Sequence, residues 1–354
     1  MGSEGGVWVE DSGFGGTDVL SADLSGSADH LVVLVHGILG SNDDWKYAAS
    51  QFIRMLPDKV IVHCSERNMY KLTLDGVDIM GERLAEEVAE VINRRPGLQK
   101  ISFIAHSVGG LVSRYAIGRL YRLAVKSQEN LANVAHNEHA KGTIYGLKAM
   151  NFITVATPHL GSRGNKQVPF LFGLTPVEKV APLVIHWIFR RTGKHLFLTD
   201  NDEGRLPLLL RLVEDCDDLF FMSSLKLFVR RVAYANVGCD HIVGWRTSSI
   251  RRISELPKWE KSVNEKYPHV VYEEQAEGST SVNNSYDSGI CINNDMLEEN
   301  MVAGLTRLSW ERVDVSFHES RQKFAAHSII QVKDSLLHSE GADIIQHMID
   351  HFLL

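Results

Sequence analysis

A serine hydroxyl attacks a carbonyl only when a base takes its proton and a third group orients that base, so serines in unusual backbone settings are the first candidates for chemistry. Ser107 is in such a setting. The apolar run Ile101-Ser102-Phe103-Ile104 leads into Ala105-His106-Ser107-Val108-Gly109, and a helical run from Gly110 to Ala116 follows. Small residues around a serine at a strand-to-helix turn mark a nucleophile elbow. Its hydroxyl stands above the sheet, and the next backbone amide is free to bind an oxyanion. The usual pattern is G-x-S-x-G. Here Ala105 holds the first position, and its small size still lets strand and helix pass closely.

A second element lies upstream, where Leu31-Val32-Val33-Leu34-Val35 runs into His36-Gly37-Ile38-Leu39-Gly40. A continuous apolar, β-branched run of this kind suits a parallel strand covered on both faces. The glycine turn can aim the amide of Ile38 or Leu39 at a reacting carbonyl, to form an oxyanion hole with the amide of Val108.

The base and its orienting acid are expected in the chain order Ser, Asp or Glu, His. The chain has 16 histidines. The strand-like run Trp310–Phe317 ends just before His318, and His327 follows in Ala325-Ala326-His327-Ser328. His327 is preferred, because a residue well past the strand edge has room to reach back over Ser107. Asp240 stands just beyond the strand-like Val232–Gly238, at the carboxyl edge of the sheet where catalytic groups gather. Asp217 and Asp218 read as solvated, and His241 as structural.

These residues need a sheet to hold them. Strands are expected at 31–35, 60–64, 101–105, 152–156 and 232–237, separated by helical patterns, which together describe a mainly parallel sheet with helices on both faces. In one helix Met80, Leu84, Val88, Val91 and Ile92 form the apolar side, Glu82, Arg83, Glu86, Glu87 and Glu90 lie around the rest, and Pro96-Gly97 ends it. Another closes the chain with Ile344, Ile345, Met348, Ile349 and Phe352. With 354 residues and 44% hydrophobic composition, one large α/β domain over 30–354 is expected. Residues 1–29 read as a flexible leader with Val7-Trp8-Val9 as its strand-like piece, and Tyr272–Asn300 as a disordered surface insertion. Asn283-Asn284-Ser285 in that insertion fits the glycosylation triplet, which is common by chance.

A net charge of −7 gives nucleic acid no electrostatic footprint. Cys64, Cys216, Cys239 and Cys291 are scattered, which argues against a disulfide framework or a cysteine metal site and for a reducing compartment. The N-terminus has neither a charged region followed by an apolar core nor, with Gly6, the Ser or Thr of a myristoylation signal. A cytoplasmic protein is expected, with peripheral membrane contact compatible with it.

The motifs His36–Gly40, Ala105–Gly110, Thr157-Pro158-His159-Leu160-Gly161, Asp240 before Val243–Thr247, and Ala326-His327 occur in the order of the lipase-like serine esterases of plants and fungi, which the chain resembles from about His30 to its end. The resemblance implies an α/β-hydrolase fold, a Ser107, Asp240 and His327 triad, and acyl-ester hydrolysis without metal or organic cofactor, on acylglycerols or phospholipids. After Gly161 an apolar region, with Phe170, Phe172, Trp187 and Phe189, is interrupted by prolines and flanked by Arg190, Arg191 and Lys194. It suits a lid over about 162–195 that meets a membrane or droplet surface better than it suits a transmembrane helix. An acyl-protein or acyl-CoA thioesterase would use the same three residues, and a lipid-binding protein that has lost catalysis would keep the fold.

Overall fold

A computed structural model of the chain describes residues 19–20, 27–123, 142–162, 181–201, 204–216, 218–258, 264–275 and 294–354. Its strands are β1 (Val19–Leu20), β2 (His30–Val35), β3 (Val60–Cys64), β4 (Lys100–His106), a small hairpin of β5 (Tyr121–Arg122) and β6 (Thr143–Ile144), β7 (Lys148–Val155), β8 (Arg230–Asn236), β9 (Val270–Glu274) and β10 (Glu311–Val315). The helices are α1 (Lys46–Met55), α2 (Val77–Arg94), α3 (Val108–Leu120), α4 (Ala181–Leu196), α5 (Leu208–Arg211), α6 (Phe221–Leu227), α7 (Trp245–Ser249), α8 (Asn294–Leu305), α9 (Ala326–Ile329) and α10 (Ala342–Asp350).

The main sheet runs β1-β3-β2-β4-β7-β8-β10-β9. Its six inner strands are mutually parallel, and β1 and β9 close the edges antiparallel. Alternation along each strand divides the core in two. Leu31, Val33, Val35, Phe103 and Phe152 face α2, α3, α6 and α8, whereas Val32, Leu34, Ile104, Ile153 and Val313 face α1, α9 and α10. Each such side chain contributes about 1.5–3 kcal/mol on burial, and with both faces covered the inner strands read as unbroken apolar runs. This is the α/β-hydrolase fold that the resemblance implies. Among the described residues no helix is long and apolar enough to cross a membrane.

Three expectations change. Glu87, assigned to the polar side of α2, is fully buried, where its carboxylate accepts from His63 Nε2 at 2.9 Å and from the Glu66 amide at 2.8 Å. It ties down the loop that leaves β3. The stretch Tyr272–Asn300 is not one unstructured insertion. It begins inside β9, where Glu274 pairs with Arg251 and Arg312, and it ends inside α8, whose Leu297, Met301 and Leu305 recur at helical spacing and are buried. Residues 276–293 lie outside the described residues. Within the proposed leader, Val19–Leu20 pair with β3 and Ala28 is buried, so ordered structure starts ahead of His30; Val7-Trp8-Val9 lie outside the described residues.

Candidate active site

β4 ends at His106 and α3 begins at Val108, so Ser107 alone makes the turn, with φ 54° and ψ −133°. A non-glycine residue held there costs on the order of 1–3 kcal/mol, and surrounding contacts must hold it. The Ser107 amide donates to Val155 O at 2.9 Å, and the Gly110 amide donates to Ser107 O at 3.1 Å. Neighbouring glycines explain how the turn fits. A Cβ on Gly109 would lie 2.4 Å from His36 O, and one on Gly110 would lie 2.2 Å from Thr157 Oγ1. Ala105 sits between Val35 and Thr154 of the flanking strands and is buried, so a methyl group is accepted where the usual pattern has glycine.

Asp240 and His327 meet. The His327 Nδ1 to Asp240 Oδ2 distance is 2.9 Å. Oδ2 also accepts from Asn236 Nδ2 at 2.9 Å, while Oδ1 accepts from the amides of Ile242 and Val243, both at 2.9 Å. Burial by itself would raise this carboxyl's pKa, but His327, the Val243 amide and Asn236 together hold it below the ordinary carboxylate value. An ionised carboxylate only accepts, so His327 Nδ1 carries its proton and leaves Nε2 as the basic nitrogen. His106, next to Ser107, donates from or accepts at Nε2 to the His327 backbone; since that partner is a carbonyl oxygen at 2.7 Å, Nε2 is the donor. Burial, and then the neighbouring His327, push the His106 pKa well below its usual value. It is a neutral strut between the elbow and α9.

The alternatives fall elsewhere. His318 is exposed and bonds Ser316 Oγ at 2.9 Å. His241 is exposed and stacks on Phe324. Asp218 is exposed, and Asp217 lies outside the described residues.

Of the two amides expected to complete an oxyanion hole with Val108, one is occupied: the Leu39 amide donates to Thr73 Oγ1 at 2.8 Å. Leu39 is thereby removed as a donor. Ile38 and Val108 remain, both lining the cavity at Ser107, and Val108 is the first residue of α3, where amides lack intrahelical partners and the helix dipole favours negative charge.

The cavity holding Ser107 and His327 measures about 210 Å³. Phe189, Leu196, Phe197 and Val243 give it apolar walls, and Asp44, Gln331 and Lys333 a polar end. Of the four aromatic residues expected in the lid, Phe189 has a described side chain and is buried there; Phe170, Phe172 and the side chain of Trp187 lie outside the described residues. α4 kinks at Arg190, with φ 47° and ψ −133°. Its last turns are pinned by polar bonds: Thr192 Oγ1 donates to Thr73 O at 2.7 Å and accepts from the Gly76 amide at 3.0 Å, and His195 Nδ1 accepts from the Val77 amide at 3.0 Å. Thr73 thus links α4 to the loop carrying Ile38. Sequence reasoning missed Thr73, Thr192, His195, His106 and Gln331. Only His106, adjacent to the elbow, carried a local signal. Among the described residues no three His, Cys, Asp or Glu side chains are grouped to hold a metal ion.

The pattern of the family described as "Putative serine esterase (DUF676)" matches residues 25–250. A "Putative lipase" of Schizosaccharomyces pombe is 29% identical over 245 residues, covering 66% of this chain and 27% of that protein. A "Putative lipase" of Saccharomyces cerevisiae is 29% identical over 225 residues, covering 62% of this chain and 28% of that protein. The chain therefore spans little more than a quarter of the length of these curated relatives. Among solved structures it is similar to a mature Bacillus licheniformis lipase, with TM-score 0.33, 16% identity and coverage of 60% of this chain and 68% of that one. A Pyrococcus furiosus esterase aligns with TM-score 0.35, 12% identity and coverage of 65% and 69%.

Proposed function

Because this chain belongs to the serine esterase family whose pattern spans residues 25–250, we propose that it hydrolyses carboxylic esters of lipids, acylglycerols or phospholipids, through an acyl-enzyme intermediate. The observation that carries this reading is the 2.9 Å bond from His327 Nδ1 to a buried Asp240, beside a strained Ser107 in one cavity. His327 Nε2 takes the Ser107 proton as Oγ attacks the ester carbonyl. The amides of Ile38 and Val108 receive the developing oxyanion. His327 then gives the proton to the leaving alcohol, and water repeats the sequence to release the fatty acid. Asp240 holds the ring in the tautomer this requires.

The apolar wall of Phe189, Leu196 and Phe197 supports an acyl chain as the group held, and it is contributed by α4 and the residue after it, at the end of the expected lid. Contact with a membrane or droplet surface belongs to the same reading. The test is fatty-acid release from monoacyl-, diacyl- and triacylglycerols and phospholipids by the wild type beside Ser107→Ala, with fluorophosphonate labelling of both. Release and labelling that vanish in the variant are expected. Release that persists in Ser107→Ala, or a wild type that neither labels nor releases, rejects the proposal.

A further inference from the structure

The side-chain amide of Gln331 makes no hydrogen bond among the described residues, at either Oε1 or Nε2. It is fully buried, and it lines the cavity with Ser107 and His327. A buried donor and acceptor left unpaired carry their whole desolvation penalty, and folded proteins retain few of them. The adjoining backbone is also held at a cost. The Lys333 amide donates to Ser328 O at 3.1 Å and the Val332 amide to Ile329 O at 2.9 Å, which ends α9 in a Schellman turn. Its left-handed position, normally glycine, is occupied by β-branched Val332 at φ 54°. Val332 packs into the core, and the two residues on either side of it, Gln331 and Lys333, both line the cavity.

The reaction assigns this end of the cavity a role. In the proposed reaction His327 protonates the leaving oxygen, and the cavity that holds His327 is lined by the polar Gln331 and Lys333 as well as by the apolar Phe189, Leu196 and Phe197. Among the described residues that line the cavity the one Lys or Arg is Lys333, and its Nζ already pairs with Asp44 Oδ2 at 3.2 Å. The polar end therefore offers an amide donor and acceptor to an uncharged partner.

We propose that Gln331 is a specificity-determining residue whose amide hydrogen-bonds a free hydroxyl on an uncharged leaving alcohol, so that esters of a diol or polyol are preferred over esters of a simple alkanol. This rests on the ester hydrolysis proposed above. The test uses the full chain and two esters of the same shape, ethylene glycol monobutyrate and propyl butyrate, which differ in a terminal hydroxyl against a terminal methyl group. Wild-type kcat/KM should favour the glycol ester by about tenfold or more. In Gln331→Met the ratio should fall toward one, while the melting temperature stays equal or rises, because an apolar group of similar size replaces an unpaired amide. A residue needed only for packing would move stability and leave the ratio alone. Equal wild-type rates on the two esters, or a preference that survives in Gln331→Met or, where that variant does not fold, in Gln331→Leu, overturns the proposal. A wild type that cleaves both esters equally removes this inference alone, whereas one that cleaves neither and takes no fluorophosphonate label removes the functional reading with it.

Discussion

Asp240→Asn separates the orienting role of Asp240 from its part in the fold, because the four groups around the carboxylate dictate how an amide must sit. If the new amide turned its oxygen toward His327 and Asn236, its NH2 would face the N–H groups of Ile242 and Val243. Two opposed donors would each cost about 1–3 kcal/mol. The other orientation keeps the oxygen on those two amides and points NH2 at His327 Nδ1 and Asn236. Asn236 can meet it by flipping its own amide, since its Oδ1 has no partner among the described residues. His327 can meet it only by moving its proton from Nδ1 to Nε2. The fold survives, and the nitrogen facing the nucleophile is no longer a base. A wrong tautomer costs about four orders of magnitude in kcat, roughly 5–6 kcal/mol of transition-state stabilisation. Turnover of a soluble butyrate ester and the rate of fluorophosphonate labelling should both fall to that extent, with the thermal transition retained. A folded Asp240→Asn protein that keeps more than about a tenth of wild-type kcat would refute the reasoning.

Gly109→Ala drives a methyl group to 2.4 Å from His36 O and 2.7 Å from Val35 O, both backbone atoms that cannot swing aside. Overpacking of this kind costs about 1–3 kcal/mol in urea unfolding, and the displaced Val108 amide should lower kcat by about 100-fold; wild-type values for both would show that the close approach is unnecessary. Thr73→Val removes the acceptor of the Leu39 amide and the donor to Tyr70 O, bonds of 2.8 and 2.6 Å. It should lower stability by about 1–3 kcal/mol and reduce kcat on a short soluble ester by loosening the Ile38 loop, so a stability loss with full turnover would separate that loop from catalysis. Acid should unfold the protein through its neutral histidines. Burial, ahead of other causes, lowers the pKa of His30 to about 4 and lowers those of His36, His106 and His159. The unfolded chain thus binds more protons than the folded one below the ordinary histidine value of 6.5, so stability is intact above that pH and falls as pH drops. The slope is about 1.4 kcal/mol per pH unit for each differential proton, and urea midpoints that stay flat from pH 7 to 5 would contradict it.

The parts of this molecule legible in the sequence are those set by local periodicity and by the backbone demands of the elbow. The inner strands alternate between two apolar layers and read as unbroken runs. Small residues bracket Ser107 because Gly109 and Gly110 face a strand backbone and a threonine at contact distance. Asp240 and His327 are chosen by chain order, 87 residues apart, and the structure sets them 2.9 Å apart although no periodic signal joins them. Pairings of that kind, between one element's side chain and another's backbone, were what the sequence concealed. Thr73 meets Leu39 and Thr192, Glu87 meets the loop after β3, and Leu39 yields its amide to Thr73; in each case the polar residue types alone are ordinary.

Backbone strain was the least legible feature, and its distribution points back to the cavity. Eleven described non-glycine residues have positive φ. Ser107 and Leu39 line the cavity themselves, Arg190 follows Phe189, Cys239 precedes Asp240, and Val332 separates Gln331 from Lys333. None of these five residue types is among those that favour the left-handed region, so no composition-based reading finds them. Each is itself a residue of the cavity wall or stands next to one in the chain, or, for Cys239, next to Asp240. Such conformations persist only where packing over-determines them, and here the packing is that of the covered sheet: Val332 is held in the core with α10, and the elbow is held by the strands on either side of β4. The stability of the two apolar layers thus offsets the strain around the cavity, which links the core the sequence displays to the site geometry it does not.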